Sequence, residues 1–176
     1  MEKKYSMAIL IGVVVLGGLI AVTMLLKKNS YVADEQNYVW RAEYDSQGAA
    51  TLIRGKRIQD ISAEMNKLVS TLNRSVEKSE LSRANGDWDL SELPRITLRK
   101  TGPPTVTVEI LNDKYLSEAM GSSGAQDYLA MATYTLTESP GIRSVEFVFE
   151  PGEHAMPGVY SRESFSGYTI VTKEKD

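Results

Sequence analysis

The chain has 176 residues, of which 20 are basic and 23 acidic, a net charge of −3, and 42% are hydrophobic. That balance excludes the basic face that nucleic-acid binding calls for and leaves enough apolar material for one core of ordinary domain size. There is no cysteine and a single histidine, His154. Disulfides, thiol nucleophiles, cysteine-held zinc and a lipidation cysteine are therefore excluded, and Ser-His chemistry would rest on His154 alone.

A short tail, residues 1–6, leads into MAILIGVVVLGGLIAVTMLL, residues 7–26. This run carries no charge and is long enough at the helical rise to cross a bilayer core. Lys3 and Lys4 precede it, and Lys27 and Lys28 follow it. A cleaved signal peptide has a shorter apolar region followed by small residues; here lysines follow, and Tyr31 stands two positions before Ala33. The expectation is an uncleaved single-pass transmembrane helix. A short N-terminal tail ahead of a long C-terminal domain places the N-terminus in the cytoplasm and residues 29–176 outside it.

Residues 27–37 are polar and read as a juxtamembrane linker. Tyr38, Trp40, Ala42 and Tyr44 then alternate with Val39, Arg41, Glu43 and Asp45, the pattern of a half-buried strand. Ser46-Gln47-Gly48 turns the chain into a second strand, AATLIRGKRI, with Gly55 as its bulge. After Asp60, an N-cap residue type, Ile61, Met65, Leu68, Leu72 and Val76 fall at helical spacing, with Val69 widening the stripe. Residues 79–95 read as a loop.

Two strands follow: Ile96 and Leu98 alternate with Thr97 and Arg99, and Val106, Val108 and Ile110 with Thr105, Thr107 and Glu109. A second helix carries Ala125, Leu129, Ala132 and Leu136 on one stripe beside Tyr128, and Pro140-Gly141 ends it. Val145, Phe147 and Phe149 then face one way along a strand, and GYTIVTK adds a short edge strand. These parts predict an α+β domain in two layers, with two helices on one face of a small mixed sheet, in the order ββαββαβ.

The motifs that suggest chemistry are each better explained without it. Gly121-Ser122-Ser123-Gly124 lacks the lysine of a phosphate-binding loop and the third glycine of a dinucleotide fingerprint. Asp127, read as lying in the first helical turn, suits the helix dipole and would repel phosphate, so Ser122 or Ser123 is expected as a plain N-cap. Ser75 and Lys78 have the S-x-x-K spacing, but the companion motifs are missing. Asn85, Asp87, Asp89 and Glu92 form an acidic loop whose Gly86 and Glu92 come too early for calcium. His154 has only Glu153 as a sequence neighbour of interest, and adjacency fixes no geometry. Trp40 and Trp88 are read as a strand-face and a loop anchor. No catalytic, cofactor-binding or metal residue is expected, and no cofactor or nucleotide.

The stretch Tyr134-Thr135-Leu136-Thr137, then Pro140-Gly141-Ile142, then Val145 and Phe147, resembles the C-terminal half of the GerM domain, and VTVEILNDKYLSE is similar to the strand before it. The resemblance spans residues 38–152, leaves 153–176 as a C-terminal extension, and is specific over residues 128–149. It implies a bacterial extracytoplasmic domain tied to sporulation and germination, with a helix-strand-strand-helix-strand core similar to the ring-building motif. It brings no catalytic residues. The chain departs in using a membrane helix in place of a lipidated cysteine, and in having Ser139 where the family often has a bulky residue. The expected role is a non-enzymatic assembly module of the cell envelope. Its expected partners are the bilayer, through residues 7–26, and further copies or other envelope proteins; nucleic acid is not among them. The alternative is a domain that binds or modifies cell-wall polymer, with Tyr38, Trp40 and Tyr44 stacking on sugars.

Overall fold

The structure, a computed structural model, describes residues 38–57, 65–83 and 90–172. The expected transmembrane helix 7–26, the linker, Asp60, Trp88 and the positions Asn85, Asp87 and Asp89 lie outside the described residues. Among the described residues no helix is long and apolar enough to cross a membrane.

Alternation makes the first hairpin. β1 (Tyr38–Tyr44) pairs antiparallel with β2 (Ala50–Arg57). Their turn is held by Asp45, whose Oδ1 accepts from the amides of Gln47 at 2.8 Å and Ala49 at 2.9 Å. The register shifts between Tyr38 and Trp40 because β2 carries an extra residue there. Gly55 lies in that bulge, where an added Cβ would stand 2.1 Å from the Val39 carbonyl oxygen. Gly55→Ala is therefore expected to push the two backbones apart and cost about 1–3 kcal/mol, read as a lower denaturation midpoint at unchanged m-value.

Helix α1 (Met65–Arg83) buries Met65, Leu68, Val69, Leu72 and Val76 of the predicted stripe, whose first member, Ile61, lies outside the described residues. It docks on β3 (Arg95–Lys100) through Asn73, whose Nδ2 donates to the Ile96 carbonyl and whose Oδ1 accepts from the Ile96 amide, each at 2.9 Å. The expected loop from residue 79 begins later, because the helix continues to Arg83. SELSR contains good helix formers and no glycine or proline, so nothing stops propagation there.

β3 pairs antiparallel with β4 (Thr105–Leu111), and β4 pairs parallel with β5 (Ser144–Val148). Ile96, Val106, Val108, Ile110, Val145 and Phe147 point into the core, as the alternation predicts. The crossover between β4 and β5 is a turn of π-helix, Tyr115–Ala119, followed by α2 (Gly121–Leu136).

Residues after Phe149 add two further strands. β6 (Gly158–Ser161) pairs antiparallel with β5, and β7 (Thr169–Val171) pairs parallel with β2. The ββαββαβ order is thus present from Tyr38 to Val148, and the chain is α+β. The single sheet is corrected to two mixed sheets, ordered β1-β2-β7 and β3-β4-β5-β6. The segment expected as a C-terminal extension supplies a strand to each.

Helix α2 explains the division. It packs against β1 and β2 of one sheet, β5 and β6 of the other, and α1. Its buried residues include Ala125, Tyr128, Leu129, Ala132, Thr133, Tyr134, Thr135 and Leu136, far more than one stripe. Small and hydroxyl-bearing side chains let backbone and sheet approach on several faces, so one sheet does not cover this helix.

Candidate functional site

The densest polar cluster lies where α2 ends. The helix stops at Leu136, Thr137 caps it, and Gly141 turns the chain with φ 81°. Glu138, in that turn, is only 8% exposed. Its Oε1 accepts from Trp40 Nε1 at 3.0 Å, and both its carboxylate oxygens accept from Arg54 Nη2, at 3.0 and 2.9 Å. Arg162 Nη2 donates to Oε1 at 2.8 Å. Arg162 also donates to the Thr137 hydroxyl and the Tyr134 carbonyl.

The two guanidiniums cover the Trp40 ring, at 5.5 Å for Arg54 and 5.8 Å for Arg162, and Arg162 lies 4.9 Å from the Tyr134 ring. Trp40 and Tyr134 meet edge to face with centroids 5.0 Å apart. The Trp40 amide donates to Thr135 Oγ1 at 3.0 Å. One carboxylate thus joins β1, β2, α2 and the 3₁₀ turn Arg162–Phe165. Charge-assisted bonds of this kind are strong where water is excluded. The bonds of the two guanidiniums described here run to Glu138, Thr137 and Tyr134 inside the domain, so the cluster's chemistry is cohesive.

A second buried acid is Asp127, 6% exposed. The helix begins at Gly121, so Asp127 lies in its second turn and not, as expected, in its first. Tyr168 donates to its Oδ1 at 2.6 Å, while Oδ2 is buried without a partner among the described residues. Burial raises the Asp127 carboxyl above its ordinary value, and the Tyr168 bond offsets part of that. Burial, followed by the neighbouring Asp127, holds the Tyr168 phenol well above its own usual range.

The glycine-rich stretch also differs from the expected N-cap. Met120, in helical conformation, precedes Gly121, and no side chain caps α2. The π turn winds directly into the helix, so no extended residue is left to serve as a cap; Gly121, at φ 76°, joins the two pieces. Ser122 Oγ instead lies 3.1 Å from His154 Nδ1, and the His154 amide donates to the Ser117 carbonyl at 2.9 Å. Ser122 and His154 are a pair that the sequence did not reveal, because a loop 32 positions away has to fold back to form it. The contact pins the 149–157 loop to the helix start, and among the described residues no acid is bonded to the imidazole to orient it as nucleophilic catalysis requires.

The remaining predicted positions are scattered. Ser75 is half-buried on α1, and Glu92 is exposed in the 3₁₀ turn Leu90–Glu92. An open groove of about 370 Å³ crosses the outer side of the β1-β2-β7 sheet between Arg41, Tyr44, Ile53 and Val171. Arg41 there is paired with Glu43 at 2.8 Å. Among the described residues no group of three or more acids or histidines is placed to hold a metal ion. Trp40, 1% exposed, belongs to the core and is not a stacking platform for sugars.

The outer face of the four-stranded sheet is more informative. Thr97, Glu109, Thr107, Glu146, Thr105 and Ser144 line it, with Thr107 donating to Glu146 at 2.8 Å. Across it runs a diagonal of exposed apolar residues: Leu111 at 43%, Val148 at 45% and Val159 at 62%. Val148 lies beside Glu109, and Val159 lies beside Glu146. No protein-family model, curated protein or solved structure matches the chain.

Proposed function

We propose that this chain is a GerM-like, non-enzymatic assembly module of a bacterial cell envelope, held at the membrane by residues 7–26 with its α+β domain outside the cytoplasm. Its role is to bring together copies of itself in a sporulation or germination structure, with ring formation as the expected geometry. The observation that carries the reading is the uncovered face of the β3-β4-β5-β6 sheet. Three aliphatic side chains stand exposed in a line on three adjacent strands, among polar residues already bonded to one another. Contiguous exposed apolar surface rimmed by polar groups is the mark of a protein contact. The succession α1-β3-β4-α2-β5 supports the family reading, and tethering to a bilayer raises the local concentration at which weak contacts act.

The test is sedimentation of the full chain in detergent and crosslinking on vesicles. Val148→Lys with Val159→Lys is expected to leave the circular dichroism and melting curve unchanged and to abolish concentration-dependent association. A chain that is monomeric at high concentration and on vesicles overturns the reading.

A further inference from the structure

The residues after β6 form a strap across the domain. They leave the four-stranded sheet at Ser161, wind through the 3₁₀ turn Arg162–Phe165, and enter the three-stranded sheet at Thr169. An aromatic ladder holds the middle: Phe147, Tyr160, Phe165 and Tyr168 follow one another at centroid distances of 5.7, 5.7 and 6.2 Å. Arg162 ties the near end to Glu138. The far end has less. β7 pairs with β2 over three residues, and the Tyr168 hydroxyl on Asp127 is its one side-chain bond to α2 among the described residues.

We propose that this far end is a proton-operated latch: loss of the Asp127 proton frees Tyr168 and β7 from the body of the domain, exposing the edge of β2, while protonation holds them in place. The geometry sets the direction. An ionised carboxylate offers acceptors only, and among the described residues one oxygen has one donor and the other has none. A buried charge so poorly bonded is costly, whereas the protonated acid still accepts from Tyr168. When the strap lifts, water reaches Asp127 and the cost disappears.

The surrounding charges do not compensate. Tyr168 touches the carboxylate, and Tyr160 lies further along the ladder. On the strap, Arg162 is taken by Glu138, and Glu163 is exposed. On β2, Arg54 is bonded to Glu138; on β5, Glu146 is on the outer face with Thr107; at the start of α2, His154 is with Ser122. The docked carboxyl holds its proton more tightly than a solvated one, whose ordinary value is 3.8. Docking is therefore strongest below that value and weakens as pH rises through the raised one.

The absence of native cysteine makes the test direct. Nitroxide labels on Thr51→Cys and Thr169→Cys, partners across β2 and β7, report docking by dipolar broadening in the full chain. Broadening is expected to be strong at the acid end of a pH series and to fall as pH rises, while the far-UV circular dichroism stays native. In Asp127→Asn it should persist across the range. Tyr168→Phe removes the one donor, so broadening near neutrality should fall below that of the parent. Broadening that is constant with pH in the parent, that changes equally in Asp127→Asn, that is unaffected by Tyr168→Phe, or that disappears only together with the native circular dichroism overturns the latch.

Discussion

Glu138→Ala is expected to be among the most damaging single substitutions in the domain, lowering its stability by about 3–5 kcal/mol, because removing one partner of a buried ion pair strands the other. Here two cations and an indole lose the carboxylate they share. Arg54 has 23% of its side chain exposed and Arg162 has 37%, so each retains some water, while Trp40 Nε1 retains none beyond Glu138. The loss is measurable as the shift in urea midpoint, followed by tryptophan fluorescence. Glu138→Gln, which keeps one acceptor and loses the charge, should fall between the parent and the alanine variant. Arg162→Ala added to Glu138→Ala should cost less than it does in the parent, since the guanidinium no longer has its carboxylate. A Glu138→Ala loss below about 1 kcal/mol would mean that the cluster behaves as a surface ion pair.

The contrast between what the sequence made legible and what it did not follows interaction range. α1, β3, β4 and β5 are each announced by a local period: Leu68, Leu72 and Val76 at helical spacing, Val106, Val108 and Ile110 at spacing two. Which strands share a sheet is a longer-range matter. β7 pairs with β2 across more than a hundred positions, and no residue in GYTIVTK names its partner. Glu138 reads locally as a polar residue in a Pro-Gly turn, and its burial depends on Arg54 and Arg162, 84 and 24 positions away. Asp127 had a usable signal: it shares a helical segment with Gly124, Ala130 and Met131, small or apolar neighbours that leave an acid little water. The Ser122–His154 contact had none.

Trp40→Ala should match Glu138→Ala in size, again about 3–5 kcal/mol, but for a different physical reason. The ring is 1% exposed and is among the largest fully buried side chains, so its removal leaves a cavity between β1 and α2. It also removes the surface on which both guanidiniums lie, and the edge-to-face contact with Tyr134. Trp40→Phe separates these contributions. The smaller ring refills most of the cavity and retains an aromatic face for Arg54 and Arg162, while the hydrogen bond to Glu138 is lost. It should therefore recover more than half of the alanine loss, with urea denaturation followed by circular dichroism because the buried indole that reports on the core is gone. The same reasoning decides how a cell-wall binding experiment is to be read. Loss of polymer binding in Trp40→Ala would report unfolding, since the ring presents no surface to a ligand. Tyr44, 44% exposed at the end of β1, is the aromatic residue of that strand whose substitution would probe contact with sugar.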